Sequence, residues 1–190
     1  MTRRLFLMAG FVSSFFFSRA QFDTSFARVN IHRCADSLTY GFRTKDWELF
    51  TRYTYPALIG TLGGKAGFIT YISQTFIQIP DSAWKKYEAG RILQIVKAGR
   101  DLQTIIELKS VIEWQGRRIT TTSHLVGESW DGGLFWTFYD SQNDLKAAKQ
   151  INPALSAALI IPKKEEKVEM LPAPVLSNKP KTPAKTKTNQ

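Results

Sequence analysis

His32 and His124 are the two histidines of the chain and Cys34 its one cysteine, the side chains whose chemistry is most readily used near neutral pH. They fall short of a zinc centre, which takes three or four nitrogen, sulfur or oxygen ligands. No metal and no other cofactor is expected. Cys34 sits on the stripe Ala27, Ile31, Cys34, Leu38, Phe42, whose steps of three and four residues mark a buried helix face; it reads as a small hydrophobe. His124 closes a run of β-formers, Thr120 to His124, with Val126 following on the same face. Inside a cavity such an imidazole could move protons as a general acid or base. The sequence sets no acid partner beside it, so catalysis is not the expected role and no catalytic residue is assigned.

Binding residues are the other class to consider. Arg28, His32, Asp36 and Tyr40 recur every fourth residue, so they share one helix face. If that face borders a cavity, Asp36 and Tyr40 reach a ligand; otherwise the four form a ladder of exposed polar contacts. Five tryptophans accompany six tyrosines and 13 phenylalanines, a load able to line an apolar pocket or to fill a core. Trp136 and His124 complete the cavity candidates. Gly60-Thr61-Leu62-Gly63-Gly64-Lys65-Ala66 is too short for a phosphate loop, lacks its Ser/Thr and follows no strand pattern. No Gly-x-Ser-x-Gly elbow is present.

The elements that must carry these residues follow from periodicity. Helices are predicted over residues 22–43, over 45–53 with Thr44 as cap, and over about 65–77. Residues 56–61 are open between a helical turn and a loop. Four β-type segments follow: 84–98, 101–114, 118–128 and 133–140. Their turns are at Gly99-Arg100, Gln115-Gly116 and Trp130-Asp131-Gly132. Turns that short join antiparallel neighbours only, so the plan is α+β, with helices on one face of a curved four-stranded meander. In the second strand Leu102, Thr104, Ile106 and Leu108 alternate with Gln103, Glu107 and Lys109, the pattern of a strand covered on one face. The fourth is apolar on both sides and is expected deep in the sheet or in a subunit contact through Phe135 and Tyr139, hence a homodimer. A short helix over 144–151 and a packed coda over 153–161 end the domain.

Beyond the domain the composition changes. Arg3 and Arg4 precede the apolar run 5–17, and Ser18-Arg19-Ala20 has the small residues of a signal-peptidase site. Residues 1–20 are therefore expected to be a signal peptide, cleaved near Ala20, giving a periplasmic or secreted protein. At 13 residues the run is too short to span a bilayer, and no transmembrane helix is expected in the mature chain. Residues 163–190 are rich in lysine and proline without aromatic residues, and are expected to be disordered. The net charge of +10 is concentrated in the arginines of the leader and the lysines of this tail. The middle of the chain is only mildly basic, and no nucleic-acid partner is expected.

Several stretches together carry a resemblance: Phe42-Arg43-Thr44-Lys45-Asp46-Trp47, Gly63-Gly64-Lys65 ahead of a helix, and residues 129–140 from Ser129-Trp130-Asp131-Gly132-Gly133 to Asp140. The later Ile151-Asn152-Pro153 and Leu159-Ile160-Ile161-Pro162 belong with them. Over residues 21–162 the chain resembles the NTF2-like superfamily, the SnoaL and ketosteroid-isomerase-like cone, and within it exported bacterial members. The resemblance implies three helices packed on a four-stranded antiparallel cone. The isomerase residues do not carry over. The oxyanion tyrosine would fall near Thr39, beside Tyr40; residues 53–59 hold no acid for the general base; and residues 119–126 offer only His124 as titratable group. The expected role is thus a binding or interaction module with an apolar cavity, for a small apolar ligand or a protein partner. A lyase or isomerase of an apolar substrate, using His124, and an envelope-associated structural protein are the alternatives.

Overall fold

The computed structural model describes residues 24–142 and 144–172; the expected signal peptide and the tail beyond residue 172 lie outside them. Helix α1 (Ser25–Thr44) buries the predicted stripe Ala27, Ile31, Cys34, Leu38 and Phe42. It stops because Lys45 adopts a left-handed conformation, φ 56°, and its N–H bonds back to the Phe42 carbonyl. The next cap is therefore not Thr44 but Asp46, whose carboxylate accepts the Leu49 N–H at 2.9 Å and starts α2 (Trp47–Arg52). Pro56 opens α3 (Pro56–Thr61), settling as helix the stretch left open above. Gly63 and Gly64, both at positive φ, turn the chain into α4 (Gly64–Phe76). Among the described residues four α-helices, rather than three, precede the sheet.

The sheet is antiparallel, in the order β1 (Trp84–Ala98), β2 (Asp101–Trp114), β3 (Arg117–Ser129) and β4 (Thr137–Asp140). Register shifts between Ala89 and Ile92 and again before Gln94 bend β1. The fourth strand is shorter than predicted, because residues 129–135 form a tied loop. Asp131 Oδ1 accepts the Ser129 hydroxyl and the N–H groups of Leu134 and Phe135 at 2.8–3.1 Å. Nor does β4 lie deep in the sheet: it is at the end of the strand order, and Tyr53 and Tyr55 close its outer edge through bonds to both backbone groups of Phe138. Gly127, opposite Phe138 on β3, has no room for a side chain; a Cβ there would come 2.7 Å from the Phe138 ring.

Two cores result. On the concave face the α1 stripe meets Leu102, Ile106, Leu108, Leu125, Trp136 and Phe138. On the other face α5 (Leu145–Ile151) and residues 152–161 cover Ile105, Val126 and Tyr139 with Ala148, Leu155 and Leu159. The second strand is thus buried on both sides from Leu102 to Leu108, against the one-sided reading of its alternation. Its polar positions on that second face are occupied internally. Gln103 donates to Glu128 Oε1 at 2.8 Å and to the Ala154 carbonyl at 3.3 Å, while its own carbonyl oxygen accepts the Ser156 N–H at 2.8 Å. Tyr139, expected on a dimer surface, is 2% exposed and packs against Tyr55 within the chain.

A further correction concerns the basic tail. Residues Glu165–Met170 form β5, which pairs with β3 from Thr122 to Arg117. The sheet therefore runs past the boundary expected at residue 162. On that edge of β3 the short strands β4 and β5 stand end to end, β4 against residues 125–128 and β5 against 117–122. No helix among the described residues is long and apolar enough to cross a membrane.

Candidate functional site

Between the helices and the concave sheet face lies a cavity of about 360 Å³. The sequence builds its wall from the end of the α1 stripe, Leu38 and Phe42, and from the apolar side chains spaced along α4 at Phe68, Ile72 and Phe76. From the sheet come Tyr87, Leu125, Phe138 and Asp140. Phe42 organises the neck: its ring lies 4.2 Å, centroid to centroid, from Tyr87, 4.9 Å from Phe76 and 5.0 Å from Trp84. Beyond it a wider vestibule of about 500 Å³ shares Phe42, Phe76, Tyr87 and Asp140 with the inner chamber and is lined further by Ser110, Thr121 and Ser123.

Asp140 is the one charged residue among the described residues lining the inner chamber. It ends β4, in the same parity as Phe138, and so points to the concave side. Water reaches it through the mouth, but apolar groups surround it, and this desolvation raises its pKa. The Gln142 N–H, donated to Oδ1 at 2.6 Å, and the more distant charge of Lys164 act the other way. Burial, with the Asp140 charge nearby, pushes the Tyr87 phenol upward, so it is neutral.

None of the four residues expected at the cavity lines this chamber. Asp36 and Tyr40 face solvent on α1, as do Arg28 and His32, so the polar ladder is an exposed helix face. Trp136 is fully buried in the concave-side core, its Nε1 donating to the Gly133 carbonyl at 3.1 Å. His124 is 4% exposed on the opposite face of the sheet, at a polar pocket of about 430 Å³ shared with Arg91, Glu107, Lys109 and Lys163. An acid does stand across from it, since Glu107 is its register partner. That carboxylate is already engaged, by Arg91 at 2.6 Å and Lys109 at 3.4 Å, and the Arg91 hydrogen bonds lower its pKa to about 2. His124 Nδ1 is buried without a partner and burial lowers the pKa of the ring, which keeps the imidazole neutral.

Asp140 and Tyr87 were both missed in the sequence. The parity of Phe138 and Asp140 was a usable signal for the first. Nothing local marks Tyr87, because the bends of β1 break its alternation. Among the described residues no group of histidine, cysteine and acidic side chains is arranged to hold a metal ion. What the arrangement can do chemically is sequester an apolar body and meet a polar head at one carboxyl group. Comparison with known proteins finds no matching family model, curated protein or solved structure.

Proposed function

We propose that this chain is an exported, NTF2-like domain that binds a small apolar molecule between its helices and its sheet, without turnover. The observation that carries the reading is the chamber itself. Its volume is within the range of small-molecule sites and its wall is apolar but for a few groups. At ~30 Å³ for a water-sized group, it has room for about a dozen such groups. The test is binding of the neutral fluorophore N-phenyl-1-naphthylamine. Native protein is expected to enhance its emission saturably. Leu58→Trp, which fills the chamber from the half-buried side of α3, is expected to abolish the signal while circular dichroism stays native. Equal enhancement by both proteins would place the probe elsewhere and remove the support for a binding cavity.

The export half of the proposal rests on the basic, apolar and small-residue order of residues 3–20. Mass spectrometry of protein recovered from the envelope or medium is expected to find Gln21 at the N-terminus. A chain beginning at Met1 and confined to the cytosol would exclude it. One observation favours a second reading, a lyase or isomerase. The raised proton affinity of Asp140 beside Tyr87 is the kind of environment in which a carboxyl group moves protons near neutral pH. It differs from the His124 mechanism by depending on the other face of the sheet, so loss of a turnover in Asp140→Asn but not in His124→Ala would establish it.

A further inference from the structure

The neck of the chamber combines two features that favour the same kind of ligand head. The first is a carboxylate without a countercharge. Asp140 receives one backbone hydrogen bond on Oδ1, no ion pair to it forms among the described residues, and Lys164, whose charge reaches it, is paired with Glu166 at 2.5 Å. The second is aromatic. Phe42, Trp84 and Tyr87 surround the vestibule side of the neck, with Phe42 within 5.0 Å, centroid to centroid, of both other rings. Phe42 and Tyr87 stack on each other with 27° between their planes, which covers one face of each; a cation at the neck is drawn by the quadrupole of the faces that remain. An anionic head would instead meet Asp140 and Glu166 together, with Lys164 already paired.

We propose that the ligand is an amphipathic ammonium: an apolar body in the chamber between α4 and the sheet, and a protonated amine at the neck, against Asp140 and the rings of Phe42, Trp84 and Tyr87. This rests on the cavity reading above and adds the chemistry of the head. No covalent step is involved. The ammonium supplies the countercharge that the fold withholds from Asp140, and the hydroxyls of Ser110, Thr121 and Ser123 line the route by which it enters.

Calorimetric titration of the full chain with octylamine, octanol and octanoate separates head from body, since the three share one alkyl chain. At pH 7.5 octylamine is expected to bind about ten- to a hundred-fold more tightly than octanol, the range of one charge-assisted hydrogen bond. Octanoate is expected to bind more weakly than either. Asp140→Asn keeps an oxygen for the Gln142 N–H and should remove the advantage of the amine while leaving octanol unchanged. A pH series on the native protein gives the same information without a variant. As pH falls through the raised pKa of Asp140 the carboxyl group takes up its own proton, and octylamine should decline to the affinity of octanol. The other titratable groups on the Asp140 side are Tyr87 from β1, Lys164 just before β5 and Glu166 within it, with the neutral His124 on the other face of β3. Glu166→Gln, which releases Lys164 as a countercharge for Asp140, should therefore reduce the amine preference and leave octanol unchanged. Octanoate binding as tightly as octylamine, or an order unchanged in Asp140→Asn, would overturn the head-group assignment alone. Failure of all three compounds to bind would overturn the cavity reading and this inference with it.

Discussion

Trp136→Ala is expected to destabilise the domain by about 3–5 kcal/mol, the range for emptying a fully buried large aromatic site. The ring is wholly enclosed by the concave-side core, and its Nε1–H holds the Gly133 carbonyl, which also accepts from Asn30 at 2.9 Å. Truncation removes packing and the bond by which the ring holds the end of the 129–135 loop, leaving the Asn30 and Arg33 bonds to Gly133 and Leu134 as its ties to α1. For a domain of this size each kcal/mol moves the melting temperature by roughly 2–4 °C, so a fall of roughly 6–20 °C should be seen by calorimetry. Tyr40→Ala, at a site 56% exposed, is expected to change stability by no more than about 0.5 kcal/mol. Equal effects from the two would mean that Trp136 is not the packing residue described.

Glu128→Ala is expected to cost roughly 3 kcal/mol or more, for a different reason. Glu128 is 2% exposed, and its two oxygens accept from Gln103 Nε2 and Asn152 Nδ2, each at 2.8 Å. Each buried donor left without an acceptor costs about 1–3 kcal/mol. Because Asn152 and the Ser156 N–H belong to the segment covering the outer face, the damage should be local. Hydrogen exchange is expected to accelerate across residues 145–161 and much less in α1. Glu128→Gln preserves the shape and one acceptor oxygen, so it should recover part of the loss. Uniform acceleration over the whole chain would show that the network does not specifically fasten this segment.

How much was legible in the sequence depended on which physical signal each element left. The α1 stripe is a clean 3.6-residue repeat, and the order of helices and antiparallel strands followed from it and from the short turns. The two-sided burial of β2 left no such signal. Gln103 and Glu107 look solvent-facing by residue type, and only their partners reveal why they are inside. A similar masking hid β5. Its spacing of lysine and glutamate two residues apart, which makes the same-face pairs Lys164–Glu166 and Lys167–Glu169, disappears when composition is averaged over residues 163–190. The candidate site was misread because sequence chemistry favours conspicuous residues. His124 drew attention as a histidine, whereas the chamber is defined by which side of a strand Asp140 happens to occupy.

The end-to-end arrangement of β4 and β5 also fixes how the domain bears load. Because β5 is paired to β3 with Met170 opposite Arg117 and Glu165 opposite Thr122, a pull on the chain beyond Met170 and away from the sheet meets the pairs one after another. Pulled away from the edge of the sheet, such a strand unzips pair by pair and yields at low force, whereas a pull along its axis loads the pairs together in shear. Peeling stops where Pro162 leads back into the segment held beneath the outer face by Gln94, which bonds to both backbone groups of Ile160. The last strand is thereby a tether with give: tension is absorbed in the six residues of β5 before it reaches either core.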